Sequence, residues 1–428
     1  MTDLRTSLHR VADAVDPLPV NDDLWQRGVA ARRRGQALVV AAVVAIIASV
    51  TWSAVLLGSD DREARTASGE VVEGGAIPSR IVDPADLEPE SDLAVGRASV
   101  AFASSGGQAI VVTAADGSYH ALELPDWDGE LVALSPDGSR LAWTVDGEVA
   151  PGLPGRGLAI VDLVTGEETV HATAGADGDF LTAQQVSWAS GSQWLTWSGG
   201  ATVGRIPVGS GETETYGSQA DIVWTAIDDD GTVTFDEGPP QQWPVGGTPR
   251  SADIDGNQLA WGGNPYERID GAVSSPTGNT FALSTSEPFP AADFLTSSRF
   301  EERPLATDLY PDGAAVRPLG WATDTLVLAQ VDAPEGSYVE GSHLALFTAP
   351  NTPEQQWTYR VVAREVTHQP LSVAVDLLPD LDDTSSQQLT YDFPAPPERD
   401  ISWIIGLGVA AAIAVLMAVR WLWRRLLG

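Results

Sequence analysis

Three turns in this chain gather the oxygen ligands that a divalent cation uses. They are Asp126-Trp127-Asp128-Gly129, Asp228-Asp229-Asp230-Gly231 and Asp253-Ile254-Asp255-Gly256-Asn257. Calcium is held by carboxylates and carbonyls at alternate positions of a loop, with a glycine at the sixth position and a glutamate at the twelfth. After Asp253 those places hold Gln258 and Asn264, so the pattern breaks. Asp-Gly pairs at hairpin turns explain all three clusters without an ion. Histidines 9, 120, 171, 343 and 368 stand far apart, with no His-x-x-x-His or His-Glu-x-x-His pair, so no local zinc signature is present. No serine lies in a Gly-x-Ser-x-Gly elbow. The sequence has no cysteine, which removes disulfides, thiolate nucleophiles and thiolate metal ligands together. No catalytic, cofactor or metal site is therefore assigned, and the chain is expected not to be an enzyme. Most tryptophans sit in apolar runs and read as packing residues. Trp127 and Trp243 instead have turn-like, Asp- or Pro-flanked surroundings, which makes them the candidate ligand-binding aromatics.

The elements that would carry such residues are short strands. Ser135-Pro136-Asp137-Gly138 is a tight turn: Pro136 presets φ, Asp137 bonds its own backbone, and Gly138 takes a positive φ without steric cost. It joins the runs Glu130 to Leu134 and Arg140 to Val145 into a hairpin. Weaker copies follow at Val186 to Trp197, Ile222 to Phe235, Ala252 to Trp261, Val273 to Leu283 and Pro318 to Leu328. A recurrence of about 30 to 50 residues is the signature of a propeller or solenoid. Between residues 95 and 375 no long stretch of helical period appears, so the fold class is all-β. At about 40 to 45 residues per blade, that length predicts six or seven blades.

The run from Leu134 to Trp143, with a partial match from Val273 to Leu283, resembles the β-propeller repeats of the WD40-like and TolB-like kind. That resemblance implies a fold, and a binding or scaffolding module more often than an enzyme.

Residues 36–58 and 401–419 are uncharged and mostly aliphatic, long enough to cross the roughly 30 Å hydrocarbon layer as transmembrane helices. Arg27 and Arg32 to Arg34 precede the first span, and Arg420, Arg424 and Arg425 follow the second, beside Trp421 and Trp423. The positive-inside rule then puts both termini in the cytoplasm and residues 59–400 outside the cell membrane. The predicted order is a cytoplasmic leader with an amphipathic helix over 1–35, the first span, an acidic tether over 59–94, the propeller over 95–375, an acidic Pro-rich tether over 376–400, the second span, and a cytoplasmic tail over 420–428.

The formal net charge of −35 excludes a nucleic-acid binder, which needs a basic face to neutralise phosphates. None of the 59 acidic residues follows the second span, so the negative charge is concentrated between the spans. The leader, with Asp23-Leu24-Trp25 and its arginines ahead of a single span, is similar to the cytoplasmic heads of actinobacterial membrane proteins linked to extracytoplasmic-function sigma factors. The sequence thus points to a double-pass membrane protein that presents a propeller to an extracellular protein or glycan ligand. The resemblance implies that its leader engages a cytoplasmic regulator such as a sigma factor. An extracellular glycan hydrolase on the same scaffold, with paired carboxylates, and a purely structural envelope protein are the alternatives.

Overall fold

The computed structural model describes residues 71–84, 87–150, 153–174, 181–209, 212–237, 240–252, 269–285, 288–296, 300–305, 309–381 and 386–394, with helical Ile413, Met417, Arg420, Trp421 and Arg424 beyond them. The chain divides into two units, Met1–Thr66 and Ala67–Gly428, and the described residues belong to the second. Apart from those five positions, the leader, both segments read as membrane spans and the tail lie outside the described residues, as does Asp253 to Asn257. Among the described residues no helix is long and apolar enough to cross a membrane.

The ring is a six-bladed β-propeller. Strands β1 (Arg80–Ile81) and β2 (Pro89–Glu90) lead into blade 1, which holds β3 (Ala98–Ala103), β4 (Ala109–Thr113) and β5 (Tyr119–Leu122). Blade 2 is β6 (Trp127–Leu134), β7 (Arg140–Ala150), β8 (Leu153–Asp162) and β9 (Glu168–Ala172). Blade 3 is β10 (Gln185–Trp188), β11 (Trp194–Gly199), β12 (Thr202–Pro207) and β13 (Glu214–Gly217). Blade 4 is β14 (Thr225–Ile227), β15 (Val233–Asp236), β16 (Pro240–Trp243) and β17 (Arg250–Ser251). Blade 5 is β18 (Ile269–Ser274), β19 (Thr280–Thr285), β20 (Ala291–Thr296) and β21 (Phe300–Pro304). Blade 6 is β22 (Ala315–Thr323), β23 (Leu326–Ala333), β24 (Gly341–Thr348) and β25 (Tyr359–Ala363). After β26 (Glu365–Val366), strand β27 (Leu371–Val373) returns to blade 1 and pairs antiparallel with β3. Blade 1 therefore runs β27-β3-β4-β5-β2 from the axis outward, and the two ends of the ring close in one sheet. Closure removes the free strand edges that a row of separate sheets would leave.

Each middle strand is covered by a neighbouring blade on both faces, which explains why it is buried along most of its length, Thr and Ser included. β4 and β19 are buried at every residue. Trp143, Trp197 and Trp224 are fully buried, as the packing reading requires. Two inner-strand indoles also lock blades together: Trp188 Nε1 donates to Ala133 O at 3.0 Å and Trp321 Nε1 to Val273 O at 3.2 Å. The Ser135-Pro136-Asp137-Gly138 turn forms as its residues predict. Gly138 N donates to Ser135 O at 2.8 Å, and Ser139 N to Asp137 Oδ1 at 3.0 Å.

The tether boundaries need correction. The expected tethers, 59–94 and 376–400, are laid against the ring where they are described, over 71–84, 87–94, 376–381 and 386–394. Ile77 and Ile81 are fully buried in the core shared by blades 1, 2 and 6, and Leu93, Leu389 and Phe393 are buried too. The two segments run together: Pro78 and Tyr391 form a parallel bridge, Tyr391 N donates to Ile77 O at 2.8 Å, and Ser79 N donates to Tyr391 O at 2.8 Å. Isolated apolar residues in an acidic, proline-rich background have no period to betray them, although each fills a gap at the blade junction.

Candidate functional site

The inner strands β27, β6, β10, β14, β18 and β22 follow one another around the axis and enclose a cavity of about 480 Å³. β6, β10, β14, β18 and β22 each run toward the turn that joins them to the second strand of their blade, and β27 runs toward the same face, where Asp376 N meets Pro136 O in the first turn of blade 2. Those turns, with the third-to-fourth-strand turns, form one face of the ring, and the second-to-third-strand and blade-to-blade connections form the other. We refer to them as the turn face and the loop face.

Polar side chains lace the inner wall. Gln185 spans three blades: its Nε2 donates to Val223 O at 2.6 Å and Asp270 O at 2.5 Å, and its Oε1 accepts from Thr225 N at 3.1 Å. The amide orientation follows from those partners. Ser372 Oγ accepts from Leu134 N at 2.8 Å and donates to Leu134 O at 3.3 Å, which joins the closing strand to blade 2. Gln330, 1% exposed, donates to Thr367 O and Gln369 O, both at 3.0 Å, and accepts from Leu371 N at 3.1 Å. Such satisfied networks hold the wall in one arrangement.

The charged lining residues Glu130, Asp270 and Arg317 all lie in the halves of β6, β18 and β22 that start at the loop face. Toward the turn face the lining changes to Pro136, Gly320 and Val375. The channel thus has a charged mouth and an uncharged floor, where Ser190 and Ser274 join Pro136, Gly320 and Val375. It can take a polar group of a partner against carboxylates and a guanidinium while burying apolar atoms on Leu131, Val186 and Leu319. Nothing in the sequence distinguished Glu130, Gln185, Asp270 and Arg317 from other strand residues. Their only signal is a place near the start of inner strands.

The turn face is more tightly bonded. Asp137 N donates to Ser192 Oγ at 3.1 Å, Gly191 N to Asp229 Oδ1 at 2.6 Å, Asp229 N to Pro276 O at 3.3 Å and Asp376 N to Pro136 O at 3.0 Å. Successive blades are linked through their turns. Burial works against ionisation of Asp137, but hydrogen bonds from Ser135 and Ser139, with help from Arg140, hold its carboxyl below the usual range. Asp376 goes the other way, pushed up by burial and by the charges of Asp137 and Asp229 despite Arg97. Burial and the neighbours Asp230 and Asp229 likewise raise Asp228.

The two candidate aromatics are not brought together. Trp243 is 6% exposed in β16, where its indole donates to Gly247 O at 3.2 Å and the Arg205 guanidinium lies 4.2 Å from its ring centroid. Arg205 itself is fully buried, donating to Gly231 O and Trp243 O at 3.0 Å and pairing with Glu214. Trp243 is therefore part of the join between blades 3 and 4, because its strand packs under blade 3 despite the proline beside it. Trp127 is half-buried in β6, donates to Leu131 O at 3.2 Å and packs on the core shared by blades 1, 2 and 6. Neither ring lines the channel.

The acidic turns also have local explanations. Thr232 N donates to Asp228 Oδ1 at 2.8 Å in the β14–β15 hairpin turn, whereas Asp128, expected in a hairpin turn, lies inside β6, where Glu130 N donates to its Oδ1 at 3.0 Å. Among the described residues no group of three or more His, Asp or Glu is placed to hold a metal. The described histidines are dispersed: His120 meets Glu90 at 3.0 Å, His368 meets Asp332 at 3.4 Å, and His171 and His343 are buried in blades 2 and 6.

No protein-family model and no curated protein matches the chain. Solved structures align with it only distantly. A chain of the mitotic checkpoint complex aligns at TM-score 0.36 and 14% identity, over 67% of this chain and 81% of that one. The β-propeller domain of Cps50 (Swd1) from Myceliophteria thermophila aligns at 0.35 and 11%, over 54% and 70%. Kuenenia stuttgartiensis hydrazine synthase aligns at 0.36 and 12%, over 54% of this chain and 65% of that one, just under two thirds of its length. Likenesses this distant say nothing about ligands, and the propeller assignment rests on the sheet topology described above.

Proposed function

We propose that the chain is a double-pass membrane protein that displays its propeller outside the cytoplasm as a binding module rather than a catalyst. Residues 36–58 and 401–419 are the spans, both termini are cytoplasmic, and the ligand is an extracellular protein or glycan received at the charged mouth of the channel. The leader, residues 1–35, carries the bound state to a cytoplasmic regulator such as a sigma factor.

One observation supports this reading above the others. The two ends of the ring leave it at the same turn, 113–118 of blade 1. Val72 N donates to Ala115 O at 2.9 Å, and the Phe393 ring covers Gly117 so closely that a Cβ there would collide with it. A ring with both ends at one point is suited to suspension from two neighbouring spans.

The absence of cysteine makes every single-cysteine variant clean. Ser7→Cys and Thr165→Cys are to be treated with a membrane-impermeant maleimide in intact cells. Position 165 should react at once and position 7 only after lysis. Equal reaction at both positions, or protection of 165 until lysis, overturns the topology.

A further inference from the structure

We infer that the propeller hangs with its turn face toward the bilayer, so that the loop face and the charged channel mouth point away from the membrane. This rests on the double-pass reading above and adds which surface of the ring meets lipid.

The geometry comes from the two exits. Turn 113–118 joins β4 to β5 and lies on the turn face. The entering chain is held there by Arg97, whose Nη1 donates to Gly74 O at 3.4 Å and whose Nε donates to Asp137 O at 3.0 Å in the first turn of blade 2. The leaving chain is held by Phe393 on Gly117 of the same turn. Seven residue steps separate Pro394 from Ile401. Fully extended they reach about 25 Å, so the turn cannot stand farther than that from the start of the second span. The thirteen steps from Gly58 to Val71 allow about 45 Å, so the C-terminal link is the tighter limit. β24, at eight residues, spans about 26 Å, which sets the loop face roughly one strand length farther out on this side of the ring.

The chemistry of the two faces agrees. The backbone groups of the turn face are engaged by neighbouring turns, and its acids Asp137, Asp228, Asp229 and Asp376 lie close enough for Asp228 and Asp376 to feel their neighbours' charge. An acidic surface is not drawn to anionic headgroups, so the two covalent links, rather than adsorption, hold this face near lipid. The loop face carries the exposed Tyr338 and the mouth residues Glu130, Asp270 and Arg317.

The test uses the full chain reconstituted in phosphatidylcholine vesicles that contain a headgroup-labelled energy acceptor. A donor dye is attached at Thr165→Cys on the turn face or at Glu335→Cys on the loop face, both exposed positions. The donor at 165 should lose more of its lifetime to the acceptor than the donor at 335. Equal losses, or a greater loss at 335, overturn the orientation while leaving the membrane reading intact. If the chain does not float with the vesicles at all, the membrane reading fails and the orientation falls with it.

Discussion

Leu371 pairs with Phe102, so a strand from the end of the ring forms the inner edge of its first blade. The buried Gln330 side chain holds that strand by accepting from Leu371 N while donating to Thr367 O and Gln369 O. Replacing it by leucine leaves those buried groups without partners, at a cost of about 3 kcal/mol. Gln330→Leu should lower the urea midpoint of the purified full chain by the corresponding amount. An unchanged midpoint would show that the closing strand does not depend on this side chain.

Two glycines with similar dihedral angles should respond differently to alanine. Gly138 has φ of +73° and faces Ala98 O so closely that a Cβ would collide with backbone, whereas Gly107 has φ of +75° and nothing within 4 Å. Gly107→Ala therefore pays for backbone strain alone, about 1 kcal/mol, and Gly138→Ala pays for the collision as well, about 3 kcal/mol or more in total. Thermal unfolding of the two variants side by side checks the ranking.

Blade 6 contains a buried chain of neutral hydrogen bonds. His343 Nδ1 faces Gly341 O at 3.2 Å and must donate, so Nε2 accepts from the Tyr310 hydroxyl at 2.6 Å, which accepts from the Tyr359 hydroxyl at 2.8 Å. Burial holds the His343 imidazole below its ordinary range, with Arg364 adding to the effect and the Gly341 carbonyl and Asp332 opposing it. The unfolded chain then binds a proton before the folded one does. Stability from this site is full above the ordinary histidine pKa and falls as pH drops below it. His171, lowered by burial, acts in the same direction. Urea titrations across mildly acidic pH should show that decline, and His343→Gln should be less stable at neutral pH but lose less on acidification. A variant as steep as the parent would remove His343 from the account.

Asp376 predicts the opposite sign. Its carboxyl is raised by burial and by Asp137 and Asp229, so ionisation costs stability in the fold. Its backbone N–H bond to Pro136 O survives a side-chain change. Asp376→Asn should therefore raise the unfolding midpoint at neutral pH and make no difference once the carboxyl is protonated. A lower midpoint at neutral pH would mean that the carboxylate has a stabilising partner.

The signalling half of the proposal depends on the leader. Cross-linking capture from membranes with the full chain, against a version lacking residues 1–34, should yield a cytoplasmic regulator with the first and not with the second. Matching captures that contain only envelope components would leave the ring as the whole function.

From the sequence alone the blade hairpins could be read, because each is local: Ser135-Pro136-Asp137-Gly138 and its weaker copies mark the first hairpins of blades 2 to 6 by turn chemistry and short apolar runs. The first hairpin of blade 1 left no such mark, since its two strands, at 98–103 and 371–373, lie at opposite ends of the ring and meet only when it closes. The remaining copy, Ala252 to Trp261, lies outside the described residues beyond Ala252. For the same reason the flanking acidic segments could pass for tethers until Ile77 and Leu389 were placed between blades, and Trp243 for a surface aromatic until Arg205 was placed over it. Which side chains share the channel mouth was decided only by the tertiary structure. Glu130, Asp270 and Arg317 come from three different blades, and residues that far apart in the chain are made neighbours by ring closure, not by any local period.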